Sequence, residues 1–200
     1  PVPGQVEISA GIPDDLESQV PYIIGESVAT AQVNGQWFGS LNQFQGLKGY
    51  WFNVDVDMQF SYDLSELESL SREQKLSQSE LDFQFNQSSV QSFYFVDLNH
   101  INKINYGDWI VAYHNDVIIG SRQWQGEIID IPVMGYDGNF NTAGYPSNGD
   151  EIKFEIKSIN DSFEILTPVN KFVSNELLIV ESASIQIKNT IPNSIWIERI

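Results

Sequence analysis

YGDWIVAYHNDVIIGSRQW, residues 106–124, is the stretch on which the fold turns. Two runs rich in β-branched and aromatic residues, Trp109–His114 and Val117–Trp124, flank Asn115-Asp116. Both of these residues tolerate the left-handed backbone of a tight turn, so the pattern predicts a β-hairpin. With a two-residue loop, Tyr113/Ile118, Val111/Gly120 and Trp109/Arg122 share one face, and Ala112/Ile119 and Ile110/Ser121 share the other. Both faces carry apolar side chains, which places the hairpin inside a packed β structure. Gly120 opposite Val111 predicts a bulge or a close backbone approach, and Arg122 is expected over the Trp109 indole.

Working outward, strand patterns recur on both sides. Downstream, Glu127–Met134 carries Pro132, which implies an edge or a bulge, and Ile152, Phe154 and Ile156 alternate with Lys153, Glu155 and Lys157. Leu177–Val180, Ile185–Ile187 and Ile195–Ile197 predict three further short strands. Upstream, Leu81, Phe83 and Phe85 alternate with polar residues, and Gln91–Val96 follows with three consecutive aromatics. Phe52, Val54, Val56, Met58 and Phe60 alternate with Asn53, Asp55, Asp57 and Gln59, predicting a half-buried strand with an acidic outer face. Asn34-Gly35 predicts a hairpin between Val28–Val33 and Gln36–Leu41. Val6 and Ile8 suggest a short strand, and Pro13-Asp14-Asp15 a short helix that stops near Pro21.

The expected fold is therefore mainly β: antiparallel β-sandwich or jelly-roll-like modules with minor helix. Composition suggests four segments. Residues 1–62 form an N-terminal β-rich module with a short helix. Residues 63–80, rich in Ser, Glu and Gln, are a polar linker or short amphipathic helix. Residues 81–168 form a β-sandwich module, and 169–200 supply C-terminal strands that complete the fold or pair with a neighbour.

Charge narrows the partners. Ten Lys and Arg stand against 27 acids, a net charge of −17, which repels phosphate backbones and argues against nucleic acid and anionic membranes. Such a charge suits salty surroundings or divalent cations. No run of eighteen apolar residues is present, so membrane insertion is not expected. The absence of cysteine excludes disulfides, thiolate metal sites and Cys nucleophiles.

For chemistry, the loop Gly135–Glu151 is the richest stretch. Asp137, Asn139 and Asn141 at alternate positions, with Asp150 further on, are oxygen donors of the kind that wrap Ca²⁺, the one cofactor this loop suggests. The EF-hand pattern fails, with Thr142 where Gly is needed and Asn148 where Glu is needed, and an ordinary polar loop is the competing reading. Its Tyr136 and Tyr145, together with Trp37 and Trp124, which sit among glycine and polar neighbours, are the expected ligand-binding aromatics. On a strand, Asp55 and Asp57 would lie roughly 7 Å apart, a glycosidase-like spacing, but neither has a desolvating neighbour in sequence. His100 and His114 come with no nucleophile elbow, and no phosphate-binding glycine motif occurs. No enzyme is expected.

Two stretches carry a family resemblance. IIGESVATAQVNGQWFGSLNQFQGLKGYWFNV and FYFVDLNHINKINYGDWIVAYHNDVIIGSRQW, continuing through IPVMGYDG and TAGYPSNGDEIKF, resemble a recurrent pair of modules. These modules occur in large secreted or surface proteins of marine bacteria and in some viruses of marine algae. The resemblance implies an extracellular, cell-surface or virion-surface setting and β-sandwich modules that bind or build surfaces. No catalytic residue comes with it. The first module lacks its customary leading strand, which leaves open a single core shared by the two halves. The function expected is a recognition or adhesion module whose partner is carbohydrate. The alternative is a structural subunit of a capsid, fibre or surface assembly, engaging other surface protein subunits through its terminal strands.

Overall fold

In the computed structural model, described for residues 4–62, 83–101, 104–158, 162–166, 171–180 and 184–187, the strands stack as layers around three apolar clusters. In chain order the elements are β1 (Gln5–Glu7), α1 (Ile8–Gly11), α2 (Asp14–Glu17), β2 (Tyr22–Ile24), β3 (Ala29–Val33), β4 (Gln36–Gly39), β5 (Gln43–Gln45) and β6 (Trp51–Asn53). Then follow β7 (Gln91–Val96), β8 (Trp109–His114), β9 (Val117–Gln123), β10 (Ile129–Met134), a 3-10 turn (Phe140–Thr142), β11 (Lys153–Lys157), β12 (Ser162–Leu166), β13 (Leu177–Val180) and β14 (Ser184–Ile187). The protein is mainly β, as expected. Its sheets run β1-β5, β4-β3-β2-β6, β10-β7-β13 and β14-β12-β11-β8-β9. Among the described residues, all pairings are antiparallel except β13 with β7.

The central layer is β10-β7-β13, and its sequence shows why. In β7, Tyr94 and Val96 point into one cluster with Ile110, Ala112, Phe154 and Ile156 of the five-stranded sheet. Phe93 and Phe95, on the opposite face, pack with Ile24, Ala29 and Ala31 of the first half. Three consecutive aromatics are what a strand buried on both faces requires. Tyr94 also meets Phe154 ring to ring at 5.1 Å and donates its hydroxyl to the Lys171 carbonyl at 2.7 Å. On the outer side of the four-stranded sheet, Ile23 joins Val6, Ile8, Ile12, Val20, Leu41 and Phe44 in a third cluster. The two halves thus meet across a shared apolar layer.

The hairpin forms with the predicted loop: Asn115 takes φ +54°, and His114 pairs with Val117 and Tyr113 with Ile118. Beyond that a bulge between Ala112 and Tyr113 shifts the register by one, so Ala112 faces Gly120, Ile110 faces Arg122 and Trp109 faces Gln123. Gly120 does make the close approach: a Cβ there would lie 1.7 Å from the carbonyl oxygen of Pro132. Pro132 in turn sits on an edge strand of the central sheet. Asn34 (φ +53°) and Gly35 (φ +77°) close the β3–β4 hairpin as predicted.

Several expectations fail. The predicted strand 52–60 stops at Asn53; Asp55 sits exposed on a bend and Asp57 exposed just beyond it, not on one strand face. Its partner β2 begins at Tyr22, opposite Asn53. Toward β6 the next hydrogen-bonding residue would be Val20, whose N–H is already given to the Glu17 carbonyl at 3.1 Å, while Asp55 N–H turns to the Gln19 carbonyl at 3.0 Å. Ile8 opens α1 instead of extending a strand. Phe83 and Phe85 lie in an extended segment outside any sheet. Residues 63–80 and the predicted strand Ile195–Ile197 lie outside the described residues.

Candidate functional site

The 135–151 loop is built by its own oxygens. Asp137 Oδ1 accepts from the Thr142 hydroxyl at 2.6 Å and from Asn139 N–H at 3.1 Å, while Oδ2 accepts from Ser89 N–H at 3.3 Å. The Thr142 bond, with help from Asn139, holds the Asp137 carboxyl well below the usual carboxylate range. The backbone carbonyl of Asn139 accepts from Thr142, that of Asn141 accepts from the Asn86 side-chain amide at 2.7 Å, and Asp150 Oδ2 accepts from Ser147 N–H at 2.8 Å. Asp137 and Asn139 thus share one turn with Thr142, while Asp150 closes another. Among the described residues, no three His, Asp or Glu side chains gather in a group able to hold a metal.

The hairpin tip anchors this loop. His114 donates Nδ1–H to the Gly144 carbonyl at 2.8 Å, and its Nε2 lies 3.9 Å from Asp150. Tyr136 and Phe140 project from the loop, with Phe140 92% exposed. Tyr145 and Trp124 correct the expectation of exposed platforms. Tyr145 is buried in the main cluster with its hydroxyl accepting from Asn86 N–H at 2.7 Å. Trp124 is 3% exposed, because its backbone N–H and carbonyl bond to Asp108 and Gly107 and draw the end of β9 into the core.

Trp37 is half-buried in β4, and its indole N–H donates to Glu17 of α2. It lines an open cleft of about 570 Å³ together with Glu17, Glu7, Gln36, Asn42 and Glu127. A fixed indole edge, two amides and three carboxylates face the same space.

A second cleft, of about 480 Å³, opens where the extended segment crosses β9. Ser121 donates its hydroxyl to the Phe83 carbonyl at 2.8 Å, and the Phe83 ring meets Trp109 edge-on at 5.7 Å. Arg122 lines the cleft, but its charge is committed behind it. Nη2 donates to Asp130 Oδ2 at 2.9 Å and to the Ser27 carbonyl at 2.7 Å, and Nε donates to the Asp130 carbonyl at 3.0 Å.

Asp130 is the residue that the sequence reading did not single out. Its even-numbered place in β10 turns it with Pro132 toward the first half, and its side chain is fully buried. There it accepts from Ser40 N–H at 2.6 Å, from the Ser40 hydroxyl at 2.8 Å and from Ala29 N–H at 3.2 Å. Burial pushes its carboxyl up, opposed by the Arg122 guanidinium and by the Ser40 bonds. This latch also explains why Arg122 leaves Trp109. The bulge moves it one place along, and a buried carboxylate is a far stronger partner than an indole face. The available signal was a lone acid inside the apolar run IIDIPVM.

No family model matches this chain, and neither does any curated protein or solved structure.

Proposed function

We propose that the chain is a non-enzymatic recognition or adhesion module at a cell or virion surface, and that it holds carbohydrate in the cleft beside Trp37. The observation that carries this is the indole itself, pinned by its N–H to Glu17 at the wall of a cleft with Gln36 and Asn42. A fixed aromatic offers a dry surface to the C–H face of a sugar ring, and amides and carboxylates match its hydroxyls. The net charge of −17 and three glutamates in the cleft favour neutral or cationic glycans over anionic ones. No acid/base role enters this reading, since Asp55 and Asp57 both stand exposed.

The test is titration with oligosaccharides, followed through the Trp37 indole N–H resonance. Binding that shifts this resonance and weakens at least about tenfold in Trp37→Ala is expected, the loss typical of removing a buried aromatic anchor. Silence across neutral and amino sugars would end the proposal.

An assembly subunit is the second reading, and one feature favours it. Beside the edge strand β6, Leu47, Trp51 and Val56 are 82%, 69% and 50% exposed, an apolar surface of the kind that meets another chain. Concentration-dependent sedimentation abolished by Trp51→Ser would support it over the binding reading.

A further inference from the structure

We propose that the cleft between Phe83 and Trp109 is a separate binding site for neutral, hydroxyl-rich glycans, independent of the Trp37 cleft. The chemistry of its walls is distinct. Gln87, Gln123 and Gln125 line it, and the Phe83–Trp109 pair supplies an aromatic wall fixed edge to face. Among the described residues, no carboxylate side chain lines it. The one charged lining group among them, Arg122, is already neutralised by Asp130 and fastened through Nε and Nη2, so the guanidinium carries no spare charge for an anion. Nη1 has no hydrogen-bond partner among the described residues and remains as a donor.

Such a surface presents donors and acceptors in roughly equal measure beside an apolar ring, which is complementary to a sugar whose hydroxyls both give and take hydrogen bonds. A uronate or sulfated glycan would have to place its charge against an already satisfied ion pair in a chain of net charge −17, and is disfavoured. The site is also prearranged. Gln87 accepts from the Ser27 hydroxyl, Gln123 donates to the Gly107 carbonyl at 3.5 Å, and Ser121 holds the Phe83 backbone at 2.8 Å. Pre-ordering of this kind lowers the entropy lost when a ligand is bound.

The experiment uses the whole chain with laminarihexaose, cellohexaose and mannohexaose as neutral probes and an alginate hexauronate as the acidic one. The indole N–H resonances are assigned through Trp109→Phe and Trp37→Phe. The expected result is a shift of the Trp109 indole and of the Gln123 and Gln125 side-chain amides with at least one neutral probe at millimolar concentration. Gln123→Ala combined with Gln125→Ala, two changes at the rim away from the core, is expected to weaken that binding at least about tenfold, while Trp37→Phe leaves it unchanged. Three results would overturn the site: no shift at Trp109 with any neutral probe, full affinity in the double glutamine variant, or tighter binding of the hexauronate. A response at Trp37 alone would uphold the function proposed above and reject this second site; a response at Trp109 alone would do the opposite.

Discussion

The hairpin 109–123 and the stretch 52–60 carry equally clear strand patterns, yet only one of them becomes a strand along its length. β8 lies between β9 and β11 and has partners on both sides for nearly all of its residues. The other stretch has one partner, three residues long, beyond which the Val20 N–H is already given to the Glu17 carbonyl. Alternation states that a segment can lie half-buried on a sheet; a strand forms only where a neighbour has free N–H and C=O groups in register. Val111 is fully buried as a result, and Val56 is half in water.

The comparison can be broken most violently at Gly120. Gly120→Val places side-chain carbon where the Pro132 carbonyl stands, and loss of the cooperative thermal transition is expected; a transition near that of the parent would show that β9 and β10 can separate without cost. Next comes the latch. Asp130→Ala leaves Arg122 and the Ser40 and Ala29 N–H groups without their acceptor, at about 3–5 kcal/mol in denaturant unfolding. Ser40→Ala removes only the hydroxyl bond and should cost about 1 kcal/mol, so equal losses in the two variants would contradict the assignment.

The two valines then sharpen the contrast directly. Val111→Ser is expected to cost about 2 kcal/mol through the lost burial of its methyl groups, whereas Val56→Ser should stay within about 0.5 kcal/mol. Similar values would mean that the 52–60 stretch is packed after all. The smallest effect concerns pH. Because the folded Asp137 carboxyl lies below its unfolded value of about 3.9, its contribution to the loop is fully present above that value. The contribution fades only as pH falls through the lower, folded value. A ¹³C titration of Asp137 should show no inflection down to about pH 3, and Thr142→Val should return it toward the ordinary range.

Much of the architecture was legible in local pattern. Asn34-Gly35 and Asn115-Asp116 marked both hairpins, Pro132 marked an edge, and three consecutive aromatics marked β7 as a strand. The candidate sites were less legible. Trp124 and Trp37 look alike as sequence, each an indole among polar neighbours, yet the first is drawn into the core by the Gly107–Asp108 turn and the second lines a cleft. The loop oxygens at alternate positions resembled cation ligands because Asx-rich turns and Ca²⁺ loops draw on the same residues.

By itself, then, the sequence determined a mainly β protein, its principal turns, its acidity and the strands rich enough in apolar residues to be central. Those are properties of spacing and composition, and they act through neighbours a few residues apart. Only the tertiary structure decided that a one-residue bulge swings Arg122 away from Trp109 and onto Asp130, that this buried carboxylate meets Ser40 ninety residues away, and that the glutamines gather beside Phe83. Such outcomes depend on register and on which groups are left without partners once the layers have stacked, and neither is written in any single stretch of chain.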